Sequence, residues 1–376
     1  MTDTTQSERF GEIWILGASG RIGSAVTANL TAQGFKPILV GRERDGDRLG
    51  KTAANFGSRV VIADGVDSIV AEIIRQRPAV VFNGIGNYAE SASIIARACM
   101  SGGGHYLDLA ADLIAVPRLL DLHQEAKRAG STLVTGSGFG VLATEAVVIK
   151  LCEHSAPPVS VHVDALASVS LSAGVVGSAF AASIIDMFAT GGRCYTDGRL
   201  VTSRLGAGLQ NLTLPDGQQA KSAEAPTAEL LAAQRASHAP SVTATTGTAP
   251  ISRVARTVAP LVGKLLSIKL LRRFVLGQLA KARMKEIPSP RRYSWGHAVI
   301  TWPDGRRREG WLRADDGMVY TASVAALVAA NLARGDGRPG AYTPGALFGT
   351  SLAEQAGGKF LLNNTHFSNP GGTPMD

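Results

Sequence analysis

The chain has 376 residues, more than one typical domain, and its 45% hydrophobic and 18% charged composition is that of a soluble globular protein with apolar surface for two cores. Cys99, Cys152 and Cys194 are odd in number and far apart, which excludes a disulfide framework, and seven scattered histidines lack metal-ligand spacing, so no metal is expected. The net charge of +8 is uneven: residues 1–150 carry 15 basic and 15 acidic side chains, whereas 250–313 carry 15 basic against Glu286, Asp304 and Glu309. No nucleic-acid motif accompanies that excess, so nucleic acid is not an expected partner.

Residues 1–10 are polar and lack the charged start and apolar core of a secretory signal, so a cytoplasmic location is expected. An apolar run from Glu12 then leads into Gly17, Ala18, Ser19, Gly20, Arg21, Ile22 and Gly23, followed by a helical pattern over 24–30. Gly17 permits a tight turn, Gly20 lets backbone approach a pyrophosphate, and Gly23 lets the helix lie close on the strand with its N-terminus facing the anion. Residues 17–23 are therefore the expected nucleotide loop, although such turns also occur without a nucleotide. The second strand, near Ile38, ends where an NAD site places a carboxylate, yet the first charged residue is Arg42. A guanidinium there can fork a 2′-phosphate, with Arg44 in support, which points to NADP. Solvated loop charges, or Glu43 on the ribose, are the alternatives.

Further strands near Val60, Val80, Tyr106 and Leu133 alternate with helices near Ala25, Ala53, Ile73, Ile95 and Leu119, predicting an α/β fold with a Rossmann-type doubly wound parallel sheet over 1–140. Asn83, Gly84 and Gly86 close the fourth strand and are expected beside the ribose and nicotinamide; Asn83 either hydrogen-bonds the cofactor or caps a turn. Tyr88 is the first choice for a catalytic donor to a thioester or ketone oxygen, with a pocket-lining aromatic as the alternative. In the fifth strand, alternation sends Tyr106 and Asp108 to one face. Asp108 is the catalytic candidate near the cleft, or a loop-fixing carboxylate. His105 reads as structural, Asp112 and Tyr195 are weaker candidates, and Cys194 has no base partner for a thiol mechanism.

Three glycines within 136–140 mark a hinge, and 142–153 reads as a helix leading away. A second, α+β domain on a mixed or antiparallel sheet is expected over 141–320, serving substrate and dimerisation. The uncharged stretch 165–185 is long enough for a membrane span, but its serines, glycines and the alternation before it favour strand, turn and helix. Residues 191–198 read as a turn, and 220–250, rich in Thr, Ala and Pro, give no clear element. Within 254–285, Leu261, Leu265, Ile268, Leu271 and Val275 interleave with Lys264, Lys269, Arg272 and Arg273 in a basic amphipathic helix pattern. It could be a solvated helix, a dock for an acidic carrier protein or anionic thioester, or a peripheral membrane contact. Segments 293–302 and 307–313 flank Pro303, Asp304 and Gly305, an antiparallel hairpin signal. A helix over 321–332, within a segment 321–355 that packs back on the first domain, precedes a loose tail over 360–376.

The order and spacing of residues 17–23, 80–88, 105–109, 129–139, 191–199 and 339–349 resemble the saccharopine-dehydrogenase-like reductases, particularly the trans-acting enoyl reductases. The resemblance implies a Rossmann domain binding NADP and an inserted mixed sheet that closes over the nicotinamide. It implies an NADPH-dependent oxidoreductase of secondary metabolism that reduces an activated C=C (enoyl) bond of a lipophilic or carrier-bound metabolite. Reduction of C=N in an imine or amino-acid-type substrate is one alternative, and a non-catalytic NADP-binding sensor or scaffold another. The chain departs from the family pattern at Asn87, where proline is usual, at Ala110, Ala111 and Asp112, where a Thr-Gly-Glu-like run is usual, and at Gly140, where aspartate is usual. All three places lie near the expected pocket, leaving an altered substrate, altered chemistry or lost activity open.

Overall fold

The computed structural model describes residues 11–170, 174–176, 178–250, 252–286 and 288–363. Its first part alternates short apolar strands with helices: β1 (Ile13–Leu16), α1 (Arg21–Ala32), β2 (Ile38–Gly41), α2 (Gly46–Phe56), β3 (Val60–Ile62), α3 (Gly65–Gln76), β4 (Val80–Asn83), α4 (Tyr88–Ser101), β5 (His105–Asp108), α5 (Ala115–Leu120), α6 (His123–Arg128) and β6 (Thr132–Val134). Every residue of β1 and β4 is buried, as a sheet covered on both faces requires. The strands pair in parallel in the order 3-2-1-4-5-6, and Gly340–Tyr342, from far along the chain, adds a seventh parallel strand beside β6. The six sequence-predicted strands are all present. The seventh was not foreseen, because three residues carry too little periodicity to read.

The next helix, α7 (Phe139–Cys152), begins three residues before the predicted start, with Gly138 at its cap. It does not lead away. Apolar almost all round, it packs against both halves of the molecule, and Gly296 of the second sheet allows this, since a Cβ there would lie 2.7 Å from the Ala143 Cβ.

The second part comprises β7 (Ser160–Leu166), β8 (Gly174–Val175), α8 (Ser178–Thr190), β9 (Gly192–Thr196), β10 (Arg199–Ser203), β11 (Gln210–Thr213), β12 (Gln219–Glu224), α9 (Ala228–Ser237), β13 (Ser241–Thr246), α10 (Arg253–Leu266), α11 (Lys269–Lys281), β14 (Arg283–Met284), β15 (Ser294–Thr301) and β16 (Arg307–Ala314). It is followed by α12 (Gly317–Arg334), β17 (Gly340–Tyr342), α13 (Pro344–Phe348), α14 (Ser351–Gln355) and β18 (Lys359–Asn363). The sheet order is β10-β9-β13-β7-β15-β16-β18, with the β11–β12 hairpin attached through β13; β7 and β13 run parallel and the remaining pairs antiparallel, so the sheet is mixed. The α/β architecture is thus a Rossmann-type parallel sheet joined to a second domain on a mixed sheet.

Several local expectations change. The turn read at 191–198 is a hairpin, β9 and β10, whose Asp197 and Gly198 both take positive φ, the geometry that matches strand twist. The Thr, Ala and Pro-rich stretch folds as β12, α9 and β13. Residues 359–363 form β18 against β16 instead of starting a loose tail, and the rest of that tail lies outside the described residues. Helix α12 starts at Gly317 because Asp316 caps it, accepting from Met318 N at 2.8 Å and Val319 N at 3.1 Å. Its apolar length would cross a membrane, but it lies on α1 and against β4 and β5. The uncharged stretch 165–185 is divided between β7, β8 and α8.

On the face of the second sheet turned away from α7, buried Asp164 accepts from Ser222 Oγ at 2.5 Å and from Thr245 Oγ1, and meets His297 Nδ1 at 2.7 Å. His297 stacks on Trp311 with centroids 3.8 Å apart and reaches Glu309 at 3.1 Å. Burial alone would raise the Asp164 pKa, but the imidazoles of His162, 3.2 Å away, and His297 outweigh it and hold the carboxyl well below its usual range.

Glu145 ties α7 to the C-terminal segment, its Oε1 accepting from Thr343 Oγ1 and its Oε2 from Gly345 N at 2.9 Å. Burial pushes its pKa up to about 7 from an ordinary 4.5. A carboxyl raised in the folded state favours folding below its ordinary pKa, and that contribution is lost as pH rises towards the folded value. Glu145→Gln, which keeps one acceptor and one donor in place, is therefore expected to match the wild-type Tm near about pH 5 and to fall less by about pH 8. Scanning calorimetry across that window checks this; identical slopes would show that Glu145 does not ionise there.

Candidate functional site

The strand ends of β1, β4 and β5 meet where the sheet order reverses, the place an open parallel sheet offers a ligand. Gly17, at φ +77°, turns the chain so tightly that a Cβ there would sit 3.0 Å from Gly84 O, while a Cβ at Gly23 would sit 2.3 Å from Gly17 O. Both glycines are required for the loop to pass between its neighbours. Gly20 caps α1 without a side chain, and no acidic residue lies in the first turn, so the N–H groups of that turn are left for an anion. Ala18 is buried, Ile22 packs on the core, and Arg21 is exposed with its Nη1 3.5 Å from Met318 Sδ. Ser19 offers its carbonyl to Arg48 Nη2 at 3.1 Å. These residues fit a dinucleotide: residues 17–23 would hold the pyrophosphate.

Arg42 follows β2 with its side chain 47% exposed, paired with Asp45 at 2.7 Å, and Arg44 is exposed beside it. Arg48 was missed in the sequence because it lies on α2, one turn beyond the strand end. Its contact with Ser19 sets a second guanidinium beside the glycine loop.

Asn83, Tyr106, Asp108 and Thr135 form one buried chain of hydrogen bonds. Asn83 Nδ2 donates to Tyr106 Oη at 2.9 Å, and Tyr106 Oη donates to Asp108 Oδ2 at 2.9 Å. Asp108 Oδ1 accepts from Thr135 Oγ1 at 2.8 Å, Ala110 N at 3.0 Å and Gly136 N at 3.3 Å. Burial pushes the Asp108 pKa up to about 6, with these donors opposing. Both Asn83 and Asp108 have no exposed surface, and their polar atoms are engaged in fixing the loops after β4, β5 and β6. His105 likewise accepts from Thr132 N at 3.0 Å.

Past Gly84 the chain turns through Gly86 at φ +75° and Asn87 at φ +50°, and Tyr88 opens α4. Proline cannot adopt the Asn87 conformation, so the usual family residue is excluded by this backbone. Asn87 holds the turn by donating to Glu90 Oε2 at 2.7 Å. The Tyr88 phenol is driven well above its ordinary pKa by burial and by Asp108, with Asp112 adding to the effect and the backbone of Leu109 and Gly86 opposing it. It stays protonated and can only donate or accept a hydrogen bond.

The loop after β5 is clasped to the second domain. Asp112 caps α5, accepting from Ala115 N at 2.7 Å, and pairs with Thr227, while Ala228 N donates to Ala111 O at 3.0 Å. This brings in Glu229, which sequence reading did not single out. Its carboxyl lies against Gly140: a Cβ at 140 would meet Glu229 Oε1 at 1.9 Å. Glu229 is 7% exposed, its Oε2 has no hydrogen-bond partner, and burial raises its pKa. A carboxyl delivered by α9 therefore occupies the space over the first turn of α7 that a side chain at 140 would need. Tyr195 is half-buried in β9 and Cys194 is partly exposed.

Arg42→Ala and Arg48→Ala are each expected to weaken NADPH binding about tenfold or more while leaving NADH nearly unchanged, in line with loss of a charge-assisted bond. Titration calorimetry checks this, and equal losses for both nucleotides would sink the 2′-phosphate role.

Residues 13–134 match the family model of the saccharopine dehydrogenase NADP binding domain. No curated protein matches the chain. Among solved structures, apo saccharopine dehydrogenase (L-Glu forming) from Saccharomyces cerevisiae superposes with a TM-score of 0.62 over 94% of this chain and 100% of that one, at 12% identity, showing that both parts of the fold are shared. A short-chain dehydrogenase from Sphingobium yanoikuyae in complex with NADPH covers 33% of this chain and 70% of its own, with a TM-score of 0.26 and 18% identity. The bulky-bulky ketone specific alcohol dehydrogenase from Comamonas testosteroni covers 34% and 72%, with a TM-score of 0.30 and 14% identity. With the glycine loop, the two guanidinium groups and the matched domain, residues 13–134 are an NADP-binding domain of the saccharopine dehydrogenase type, and the chain is an NADP-dependent oxidoreductase.

Proposed function

We propose that the chain reduces an activated C=C bond of a neutral, lipophilic substrate, of the enoyl type, held between the strand ends of the first domain and α9. The observation that carries this is the pair of groups gathered around the Asp112–Thr227 clasp, the Tyr88 phenol, kept protonated by burial, and the Glu229 carboxyl, whose pKa burial raises and whose Oε2 has no hydrogen-bond partner. NADPH, which residues 17–23 and Arg42 would hold, would supply a hydride to one carbon of the double bond. Charge then develops on the conjugated carbonyl oxygen, where a phenol donor such as Tyr88 stabilises it. The second carbon needs a proton, which Glu229 releases and later regains from water. The product is the saturated compound.

Charge at the rim supports a neutral substrate. Asp186 of α8 is raised by burial, with Arg272 opposing and Asp112 and Glu90 adding to the rise, so these carboxylates lie within reach of one another. They would repel a substrate bearing several carboxylates. A second reading, reduction of C=N in an imine, is favoured by the fold shared with saccharopine dehydrogenase. The rim narrows it to imines without clustered carboxylates.

Following NADPH fluorescence while enoyl thioesters and cyclic imines are supplied tests this. Oxidation with an enoyl thioester alone supports the first reading, oxidation with imines alone moves the chemistry to C=N, and none with either refutes both. Tyr88→Phe is expected to lower kcat roughly a hundredfold with KM little changed. In the wild type, kcat should fall as pH rises through the elevated Glu229 pKa, and Glu229→Gln should remove that limb along with most of the rate. A limb that survives the substitution would assign the proton to another group.

A further inference from the structure

We propose that the α10–α11 hairpin is a docking surface for an anionic lipid bilayer. Residues 253–285 contain nine Lys and Arg and no carboxylate. Helix α10 is apolar on two sides. Ala259 and Leu266 are buried, with Val262 lining the groove against α8, while Val258, Leu261 and Leu265 recur at helical spacing on an exposed side. The exposed row continues through Ile268 into α11, where Leu270 is 81% and Phe274 63% exposed. Six of the sixteen large apolar side chains exposed among the described residues fall between 258 and 274. Scattered apolar exposure is ordinary, but this concentration on two adjoining helices is not.

Lys264, Lys269 and Arg273 are exposed among these residues. Arg272 faces inward instead, paired with Asp186, the one charged residue of α8. The hairpin thus presents cations and apolar side chains together, while Arg272 is held by the carboxylate of its packing partner. Between α8, α10 and α11 runs an apolar groove of about 420 Å³, lined only by Ile, Val, Leu and Phe, and Leu265 belongs both to it and to the exposed row. Cations attract an anionic surface and the apolar row enters the boundary between headgroups and chains, which is how an interfacial helix pair holds a membrane. An acidic carrier protein would satisfy the cations but would leave Leu270 and Phe274 in water. The inference does not depend on which double bond is reduced.

The test is flotation of the full-length protein with vesicles of phosphatidylcholine alone or mixed with phosphatidylglycerol, with NADPH affinity measured on every sample. The expected result is flotation with the anionic vesicles, reduced roughly fivefold or more by neutral vesicles or by Lys269→Glu with Arg273→Glu. Leu270→Ser with Phe274→Ser should abolish it while NADPH affinity stays unchanged, which shows that the fold is intact. Absence of flotation with anionic vesicles would overturn the proposal, as would flotation indifferent to the apolar substitutions. Retention by an acidic acyl carrier protein without vesicle binding would overturn it in favour of that partner.

Discussion

The burial of α7 between the second sheet and the helices α9, α12 and α13 is the constraint on which the rest of the molecule depends. A helix apolar all round is stable only when covered on every side, and α7 is covered by β7, β15 and β16, by α9, and by α12 and α13. Its first turn stands at the strand ends of the first sheet. Whatever fixes α7 therefore fixes the cleft, and two buried carboxyls do so from opposite sides of the chain's order: Asp108 holds the loop that leads into it, and Glu145 holds the segment that returns to it. Low-dielectric burial makes both groups costly to ionise but strict in geometry.

Much of the first domain was legible because its signals are local. The glycine loop, the arginine after β2 and the alternation of strands and helices each follow from backbone sterics or a short period. The same holds for the β15–β16 hairpin, announced by its turn. What escaped depended on distance. The strand β17 is three residues long and has meaning only beside β6. Glu229 is an ordinary helix glutamate until the fold sets it against Gly140, and Arg48 is a helix arginine until the loop at Ser19 approaches it.

The departures from the family pattern also become coherent at this level. Asn87 is compatible with a positive φ that proline forbids, and its neighbour Tyr88 is placed by that turn. Gly140 lacks a side chain where Glu229 brings one. A carboxyl at that position is consequently supplied by α9, so the contact over the first turn of α7 forms only as the two domains dock.

The participation of residues 340–342 in the first sheet has a consequence for how the protein comes into being. A ribosome releases β1 to β6 long before β17, and until then β6 is an open edge with unpaired backbone groups. The nucleotide-binding half cannot close its sheet on its own and waits for the whole intervening domain to be made. Closing that sheet depends on pairing between segments far apart in sequence, the kind of non-local contact that slows folding and leaves a nascent edge in need of shielding.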